Sequence, residues 1–297
     1  MRILLTGISG QVGGVLAGLL PEFGEVAAAG RATLDLADVA SIPGKLDAIK
    51  PDLIVNPAAY TAVDRAEDEP ELAFRINGEA PGVIARWAAA RKVPVVHFST
   101  DYVFGGSGER PWHEDDLTGP LSVYGKSKLA GEEALRAAAG PHLIVRTSWV
   151  YHRTGTNFLR SIARLAAERD ELRIVADQVG APTSAALIGA TLTDLVRKSG
   201  GDFSALAAAS GGTLNLAASG TASWHDFASA IVAGLKARGR PLRTARIVPI
   251  KTSEHPTKAT RPHNSRLDLS RIANLLGRPM PPWQAMLEPE LDHIARG

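Results

Sequence analysis

The sequence predicts an α/β protein built on a parallel sheet, and three observations indicate this fold class. Short apolar runs rich in β-branched residues alternate with segments of helical periodicity through the first half of the chain. A glycine-rich turn follows the first of these runs. Polar residues stand where a later run ends, as at Thr100. Because strands that alternate with helices form parallel βαβ units, we expect a Rossmann-like, doubly wound sheet.

The chain of 297 residues is long enough for about two domains. We expect residues 1–149 to form a dinucleotide-binding domain. Residues 150–297 should form mainly a smaller C-terminal α/β domain that binds the substrate. A strand near residues 213–217 is expected to return to the sheet of the first domain.

Composition excludes several classes of function. The net charge of +2 comes without a block of Lys and Arg, so nucleic acid is not an expected partner. The absence of cysteine removes disulfides, thiolate metal sites and cysteine nucleophiles. No uninterrupted apolar stretch approaches the ~18 residues of a membrane span. We therefore expect a cytoplasmic protein, either a monomer or a homodimer, that does not contact a membrane.

The first strand and its turn predict a dinucleotide site. Residues 3–5 form an apolar strand, and Gly7, Gly10 and Gly13 follow in a Gly-x-x-Gly-x-x-Gly pattern that leads into a helix. Glycine allows the tight turn and the close approach of a pyrophosphate to a helix N-terminus. A plain βα turn without a ligand is the alternative.

The second strand, residues 25–29, ends at Gly30 and Arg31, where an NAD site usually has a carboxylate for the ribose. Arginine at that point suits a 2′-phosphate, or else it is a solvated surface residue. Asp35 comes too late for the ribose and should lie near the adenine. After the third strand, residues 52–56, small residues would let the backbone lie against a flat cofactor.

The catalytic residues are expected between residues 99 and 128. Thr100 ends a strand, and Tyr124 and Lys128 are four apart in a helical pattern, so they share one helix face. A lysine charge beside a phenol favours the phenolate and lowers its pKa. The Tyr-x-x-x-Lys pattern also occurs by chance on helices. Residues 64–71 are expected to be a solvated acidic loop and helix start.

Residues 105–120 suggest a mobile loop over this site. Within it, residues 113–116 (HEDD) should be a solvated acidic turn, since consecutive side chains cannot all face one metal ion. In the second half we expect strands at residues 143–146 and 173–175, and helices around residues 162–166, at 185–195 and after 282. Residues 260–266 carry many donors suited to phosphate or sugar hydroxyls.

Seven segments along nearly the whole chain resemble the dTDP-4-dehydrorhamnose reductase family of extended short-chain dehydrogenases. The first and fourth are common in the wider superfamily, whereas the third, fifth, sixth and seventh are much more specific in combination. The segments are residues 6–13, 56–64 (NPAAYTAVD), 99–104 (STDYVF), 124–131 (YGKSKLAG), 146–151 (RTSWVY), 177–183 (DQVGAPT) and 261–267 (RPHNSRL).

The resemblance implies NAD(P)H-dependent reduction of the 4-keto group of dTDP-4-dehydro-L-rhamnose, the last step in supplying dTDP-L-rhamnose for polysaccharide. It makes Tyr124 the proton donor. Lys128 then orients the nicotinamide ribose and lowers the pKa of Tyr124, while Thr100 binds the reacting oxygen. With the residue patterns above, the expected cofactor contacts are Gly7, Gly10, Gln11, Val12, Gly13, Arg31, Asp35, Leu36, Ala58, Ala59, Tyr60, Tyr124 and Lys128. The expected substrate contacts are Thr100, Asp101, Trp149, Arg261 and Asn264.

Two alternatives share this frame. One is a sugar-nucleotide dehydratase or epimerase; a dehydratase needs an added acid and base, usually a carboxylate pair after the threonine, but Asp101 is followed by Tyr102 and not by Glu. A catalytically silent NADP-binding subunit would not need Thr100, Tyr124 and Lys128 together.

NADPH is the expected cofactor, with NADH also accepted. Some family members are described as using Mg²⁺, but the aligned positions here are Val15 and Ala186, which cannot ligate it, so we expect no metal ligands.

Overall fold

The computed structural model describes residues 1–296. Residue 297, the last of the predicted second domain, lies outside the described residues. The strands are β1 (Arg2–Leu5), β2 (Glu25–Ala28), β3 (Leu53–Asn56), β4 (Val95–Thr100), β5 (His142–Thr147), β6 (Val150–Tyr151), β7 (Glu171–Val175), β8 (Val179–Gly180), β9 (Thr183–Ser184), β10 (Thr213–Asn215), β11 (Ala222–Ser223) and β12 (Arg246–Ile250). The α-helices are α1 (Gln11–Leu19), α2 (Ile42–Ile49), α3 (Val63–Ala66), α4 (Pro70–Phe74), α5 (Ala80–Arg91), α6 (Val123–Ala137), α7 (Phe158–Glu168), α8 (Ala185–Lys198), α9 (Phe203–Ala209), α10 (Trp224–Ala237), α11 (Ser270–Leu276) and α12 (Trp283–Arg296).

Six strands form one parallel sheet in the order β10-β5-β4-β3-β1-β2. The predicted Rossmann-like α/β class is therefore confirmed. The strand order reverses between β1 and β3, and in open α/β sheets the crevice at such a point binds ligands. The sequence motifs that follow β1, β3, β4 and β5 all emerge at this edge of the sheet.

Helices cover both faces of the sheet because its strands are buried on both sides. Ile3 and Val55 face one core with α1 and α8, through residues such as Leu16 and Leu192. Leu4 and Ile54, the alternate positions on the same strands, face the other core with α2, α5 and α6. This alternation is the period of two expected for extended chain.

The second half of the chain adds a smaller α/β region. Strands β7 and β12 pair in parallel, with Arg246 opposite Glu171, and α10 packs against both. Strand β10 does not join this region but pairs with β5 in the central sheet. The elements that the sequence patterns did not predict here are α9, α10, α11, β12 and the two-residue strands β6, β8, β9 and β11.

The loop between β4 and α6 contradicts one prediction. Glu114 is not part of a solvated turn, because its side chain is buried and its Oε1 accepts a hydrogen bond from the backbone N–H of Asn215, at 2.9 Å. Trp112 in the same loop stacks on Phe104, with ring centroids 4.9 Å apart. A run of four polar residues looks solvated in sequence, but the approach of β10 places one of them inside.

None of the helices within residues 1–296 combines the length and the apolar character needed to cross a membrane.

Candidate active site

The turn after β1 forms an open cradle at the N-terminus of α1. Gly7 has φ +61°, and a Cβ at Gly13 would lie 2.1 Å from the Gly7 carbonyl oxygen, so both positions require glycine. Gly10 caps α1 without a side-chain hydrogen bond, and the first turn carries no acidic residue. The Oε1 atom of Gln11 is buried without a hydrogen-bond partner in the described chain. Free helix N–H groups and an unpartnered polar atom fit a dinucleotide pyrophosphate.

The residues expected at the adenosine end lie beyond β2. Arg31 is exposed, and its guanidinium forms no ion pair with residues 1–296. The Oδ1 atom of Asp35 accepts from the N–H of Ala37 at 2.9 Å, which fixes this turn, while Leu36 is buried beneath it. The Arg31 guanidinium is therefore available at the surface, and the nearby Asp35 carboxylate is hydrogen-bonded to the backbone.

The segment after β3 faces the glycine turn. Ala58 approaches so closely that a Cβ at Gly7 would lie 2.9 Å from its Cα. Ala59 is half-buried, and Tyr60 donates from its hydroxyl to Glu69 at 2.6 Å. The side chain of Asn77, which the sequence patterns did not indicate, accepts from the Tyr60 N–H at 2.8 Å. These contacts fix the wall of the cradle.

Thr100, Asp101 and Tyr124 meet at the C-terminal end of β4. The Thr100 hydroxyl donates to Oδ1 of Asp101 at 3.0 Å and accepts from the Tyr102 N–H at 3.2 Å. Burial raises the pKa of Tyr124 to about 12, and a hydrogen bond with Thr100 offsets part of that rise. Burial also raises the pKa of Asp101 to about 6, although the hydroxyls of Ser265 and Thr100 act to lower it. Two hydroxyls and a carboxyl thus converge on one point.

The amine of Lys128 makes its hydrogen bonds with residues of β4. Its Nζ donates to the Phe98 carbonyl at 2.7 Å and lies 3.2 Å from Nε2 of His97. Burial lowers the pKa of Lys128 to about 8, while the charge of Glu132 acts to raise it. No hydrogen bond within residues 1–296 joins the amine to Tyr124, whose pKa is raised and not lowered. The amine is buried where α6 packs on β4.

A line of buried polar side chains continues from Lys128 beneath the site. Nδ1 of His97 lies 3.1 Å from Nδ2 of Asn56, and Oδ1 of Asn56 accepts from the Thr6 hydroxyl at 2.6 Å. A histidine within the apolar run of β4 was the sequence signal for this line, but the pattern alone did not identify its partners.

Trp149 follows β5 and adopts a backbone conformation that L-residues rarely use, with φ +49°. Its ring stacks on that of Trp224, with centroids 3.6 Å apart and planes at 9°. A Cβ at Gly180 would come within 2.7 Å of the Trp149 ring, so only glycine fits there. The Nε1 of Trp224 donates to Gln178 at 3.1 Å. Trp224 was missed because its contact with Trp149 is long-range.

Arg261 and Asn264 occupy different surroundings. Arg261 lines a cavity of about 330 Å³ together with Gly105, Leu121 and His263. Its Nη2 donates to Asp64 at 2.6 Å, while its Nη1 is buried without a partner in the described chain.

The amide of Asn264 is used within the chain. Its Nδ2 donates to the Arg110 carbonyl at 2.7 Å, and its Oδ1 accepts from Nε of Arg266 at 2.9 Å. These bonds give Asn264 a role in holding loops together.

A buried ion pair supports the site from behind. Arg146 on β5 donates to both oxygens of Glu132, at 2.9 and 2.6 Å, and both side chains are almost fully buried. Burial alone would raise the pKa of Glu132, but the hydrogen bonds and charge of Arg146 hold it below its usual value. Within residues 1–296, no three His, Asp or Glu side chains are grouped so that they could hold a metal ion.

Residues 1–296 match the family described as RmlD substrate binding domain. The chain belongs to this family. A dTDP-4-dehydrorhamnose reductase of Escherichia coli (strain K12) is 41% identical over 298 residues, covering 99% of this chain and 98% of the relative. One from Burkholderia thailandensis is 43% identical, with 96% of each chain covered. The structure of a Bacillus anthracis dTDP-4-dehydrorhamnose reductase in complex with NADP has a TM-score of 0.86 and 31% identity, covering 99% and 98% of the two chains. Membership in the family agrees with the glycine cradle and with the convergence of Thr100 and Tyr124.

Proposed function

We propose that this protein is a dTDP-4-dehydrorhamnose reductase, which reduces the 4-keto group of dTDP-4-dehydro-L-rhamnose to give dTDP-L-rhamnose. The observation that carries the proposal is the convergence of Thr100, Asp101 and Tyr124 at the C-terminal end of β4, at the edge of the sheet that also holds the glycine cradle. A ketone oxygen placed there meets two donors. The substrate and the reduced nicotinamide of such a reaction are expected in the cytoplasm.

The chain's own residues account for the proton and for the charge on oxygen. A bound reduced nicotinamide supplies the hydride. Tyr124 holds the proton that the carbonyl oxygen takes up, since the raised pKa of its phenol keeps it protonated at neutral pH. Thr100 donates a second hydrogen bond to the same oxygen as negative charge develops. In the resting site the single hydrogen of this hydroxyl goes to Oδ1 of Asp101, so Thr100 exchanges that acceptor for the ketone oxygen.

We propose NADPH as the preferred cofactor, with NADH accepted. The backbone at Gly10, Gln11, Val12 and Gly13 would hold the pyrophosphate on α1, and Lys128 would reach the nicotinamide ribose. Arg31 offers an exposed guanidinium with no competing ion pair in the described chain, which suits a 2′-phosphate. Metal is not part of the proposed mechanism.

Three side chains are proposed to bind the sugar nucleotide. The Trp149 ring is fixed by its stack on Trp224, Arg261 lines the cavity of about 330 Å³ and has an unpartnered Nη1, and Asp101 has an unpartnered Oδ2. We therefore propose that the substrate binds between residues 1–149 and residues 150–296, which would be the cofactor and substrate regions. Asn264 contributes by fixing the loops at the edge of this cleft.

The first test is turnover of the purified chain with dTDP-4-dehydro-L-rhamnose and each reduced nicotinamide. Tyr124→Phe should lower kcat by roughly 10²–10⁴-fold, which is the usual contribution of a general acid. Tyr151→Phe is the matched control, because the Tyr151 hydroxyl is buried without a partner within residues 1–296. It should leave kcat unchanged. Near-full activity of Tyr124→Phe would show that Tyr124 is not the acid.

A further inference from the structure

The acidic segment at α3, which was expected to be solvated, contacts two separate parts of the candidate site. Glu67, the residue after α3, accepts a hydrogen bond at Oε1 from the backbone N–H of Val123, at 2.8 Å. Asp64, within α3, accepts from Nη2 of Arg261 at 2.6 Å and from the N–H of Ala259 at 3.1 Å. One turn of chain therefore contacts both α6 and the segment around Arg261.

The contact of Glu67 satisfies a donor at the N-terminus of α6. The first four N–H groups of a helix have no partner within it. Ser122, the residue before α6, accepts from the N–H of Gly125 at 3.2 Å. Glu67 accepts from Val123, the first residue of the helix, and so caps α6 from outside. Because Val123 directly precedes Tyr124, the carboxylate holds the backbone next to the residue that carries the phenol.

The same helical turn also contacts the chain that follows β4. A Cβ at Gly125 would lie 2.3 Å from the carbonyl oxygen of Tyr102, so the two backbones are in close contact. The rings of Tyr102 and Tyr124 meet edge to face, with centroids 5.5 Å apart. The first turn of α6 thus contacts both Tyr102 and Glu67, and together these contacts fix where Tyr124 lies relative to Thr100.

Asp64 acts on the cavity of about 330 Å³ through Arg261. Arg261 lines this cavity, and so does Leu121, which lies two residues before α6. Burial acts to raise the pKa of Asp64, but the N–H of Ala259 and the charge of Arg261 hold that pKa below its usual value. An ionised carboxylate therefore holds Nη2 of Arg261, while Nη1 has no partner in the described chain.

We propose that Glu67 and Asp64 are positioning residues. Glu67 sets the first turn of α6 and hence the phenol of Tyr124. Asp64 sets the guanidinium of Arg261. The α3 segment thereby connects the proton donor to the substrate cavity. This proposal rests on the proposed function, which gives Tyr124 and Arg261 their roles, but its first test does not use turnover.

Three substitutions at Glu67 separate the effect of position from that of charge. Glu67→Ala removes the acceptor. Glu67→Gln keeps an oxygen at the same reach without the charge, whereas Glu67→Asp keeps the charge and withdraws it by one methylene. If the hydrogen bond positions the helix, Gln should behave as the parent does and Asp should behave as Ala does. Glu71→Ala is the matched control, since Glu71 is an exposed carboxylate on the neighbouring helix α4.

The first measurement is ¹⁹F NMR of the full-length protein labelled with 3-fluorotyrosine, without cofactor or substrate, with thermal unfolding as the check of folding. The chain has 4 tyrosines, and Tyr124→Phe and Tyr151→Phe identify two of the resonances. The Tyr124 resonance should shift in Glu67→Ala and Glu67→Asp and return in Glu67→Gln, while that of Tyr151 stays in place. An unshifted Tyr124 resonance in folded Glu67→Ala would overturn the proposal. Rescue by Asp, or failure of Gln to rescue, would also overturn it.

The second measurement is steady-state kinetics with dTDP-4-dehydro-L-rhamnose. Glu67→Ala should lower kcat by roughly tenfold with little change in KM, because a misplaced acid slows proton transfer. Asp64→Asn should raise KM by about fivefold with little change in kcat, since it loses a charge-assisted hydrogen bond to Arg261. A general loss of stability would not divide kcat and KM between two residues that are three apart.

Two kinetic results would contradict the assignment, namely an unchanged kcat in Glu67→Ala or an unchanged KM in Asp64→Asn. An inactive parent would refute the proposed reductase activity alone, because the NMR result still decides whether Glu67 positions Tyr124.

Discussion

Replacement of Asp101 by Asn should make the protein more stable at neutral pH while weakening substrate binding. Asp101 is 3% exposed, and its Oδ2 has no hydrogen-bond partner in the described chain. Burial raises its pKa from 3.8 to about 6, so ionisation in the folded state is costly. Asn has nearly the same shape and no charge, and its Oδ1 can still accept from Thr100.

The magnitude follows from the size of this shift. About two pKa units correspond to about 3 kcal/mol, at 1.36 kcal/mol per unit. The folded pKa lies above the unfolded one, so this group favours folding at pH below about 4, and that contribution is lost as the pH rises through about 6. At roughly 2 °C per kcal/mol for a chain of this size, Asp101→Asn should raise Tm by ~6 °C at pH 7.5.

The assay is thermal unfolding of variant and parent from pH 4 to 8, with KM for the sugar nucleotide measured at pH 7.5. The difference in Tm should grow between pH 4 and 6 and stay constant above that. Asp38→Asn is the matched control, since Asp38 is exposed and should show no difference at any pH. A difference in Tm that does not vary with pH would refute the argument, because the stabilisation would then not come from ionisation of Asp101.

Three further outcomes are expected. Lys128→Ala should lower kcat and raise KM for NADPH, whereas Lys126→Ala, at an exposed position of the same helix, should do neither; a change in KM alone would limit Lys128 to binding. The parent should prefer NADPH over NADH by roughly tenfold in kcat/KM, as ~1.4 kcal/mol would give, and Arg31→Ala should lose that preference. An unchanged ratio would show that Arg31 does not select the cofactor. EDTA should leave turnover unchanged, and a loss reversed by Mg²⁺ alone would contradict this.

The fold and much of the site could be predicted because local patterns encode them. The glycines after β1 indicate a single tight turn. The four-residue spacing of Tyr124 and Lys128 indicates a single helix face. Strands buried on both sides give continuous apolar runs, so the strands of the central sheet could be predicted from the sequence. Thr100 was recognisable because it ends one of those runs, and the ends of parallel strands meet at one edge.

The residues that were missed depend on contacts between distant parts of the chain. Glu114 looked solvated because nothing near it in sequence shows that β10 and Arg146 would enclose it. Trp224 gained its role only through Trp149, which lies on another element. The contacts of Lys128 with Phe98 and His97 were not predicted for a related reason: helix spacing places a residue on a face, but packing against β4 decides where its side chain ends.

The return of β10 to the central sheet also imposes an order on biosynthesis. The chain is made from its N-terminus, so β5 emerges with its outer edge unpaired until residues 213–215 have been made. An apolar strand with an open edge readily pairs with other chains. The nascent nucleotide-binding half should therefore depend on chaperone protection during that interval. A gene fragment that stops before residue 213 is expected to aggregate and not to yield a separate cofactor-binding protein.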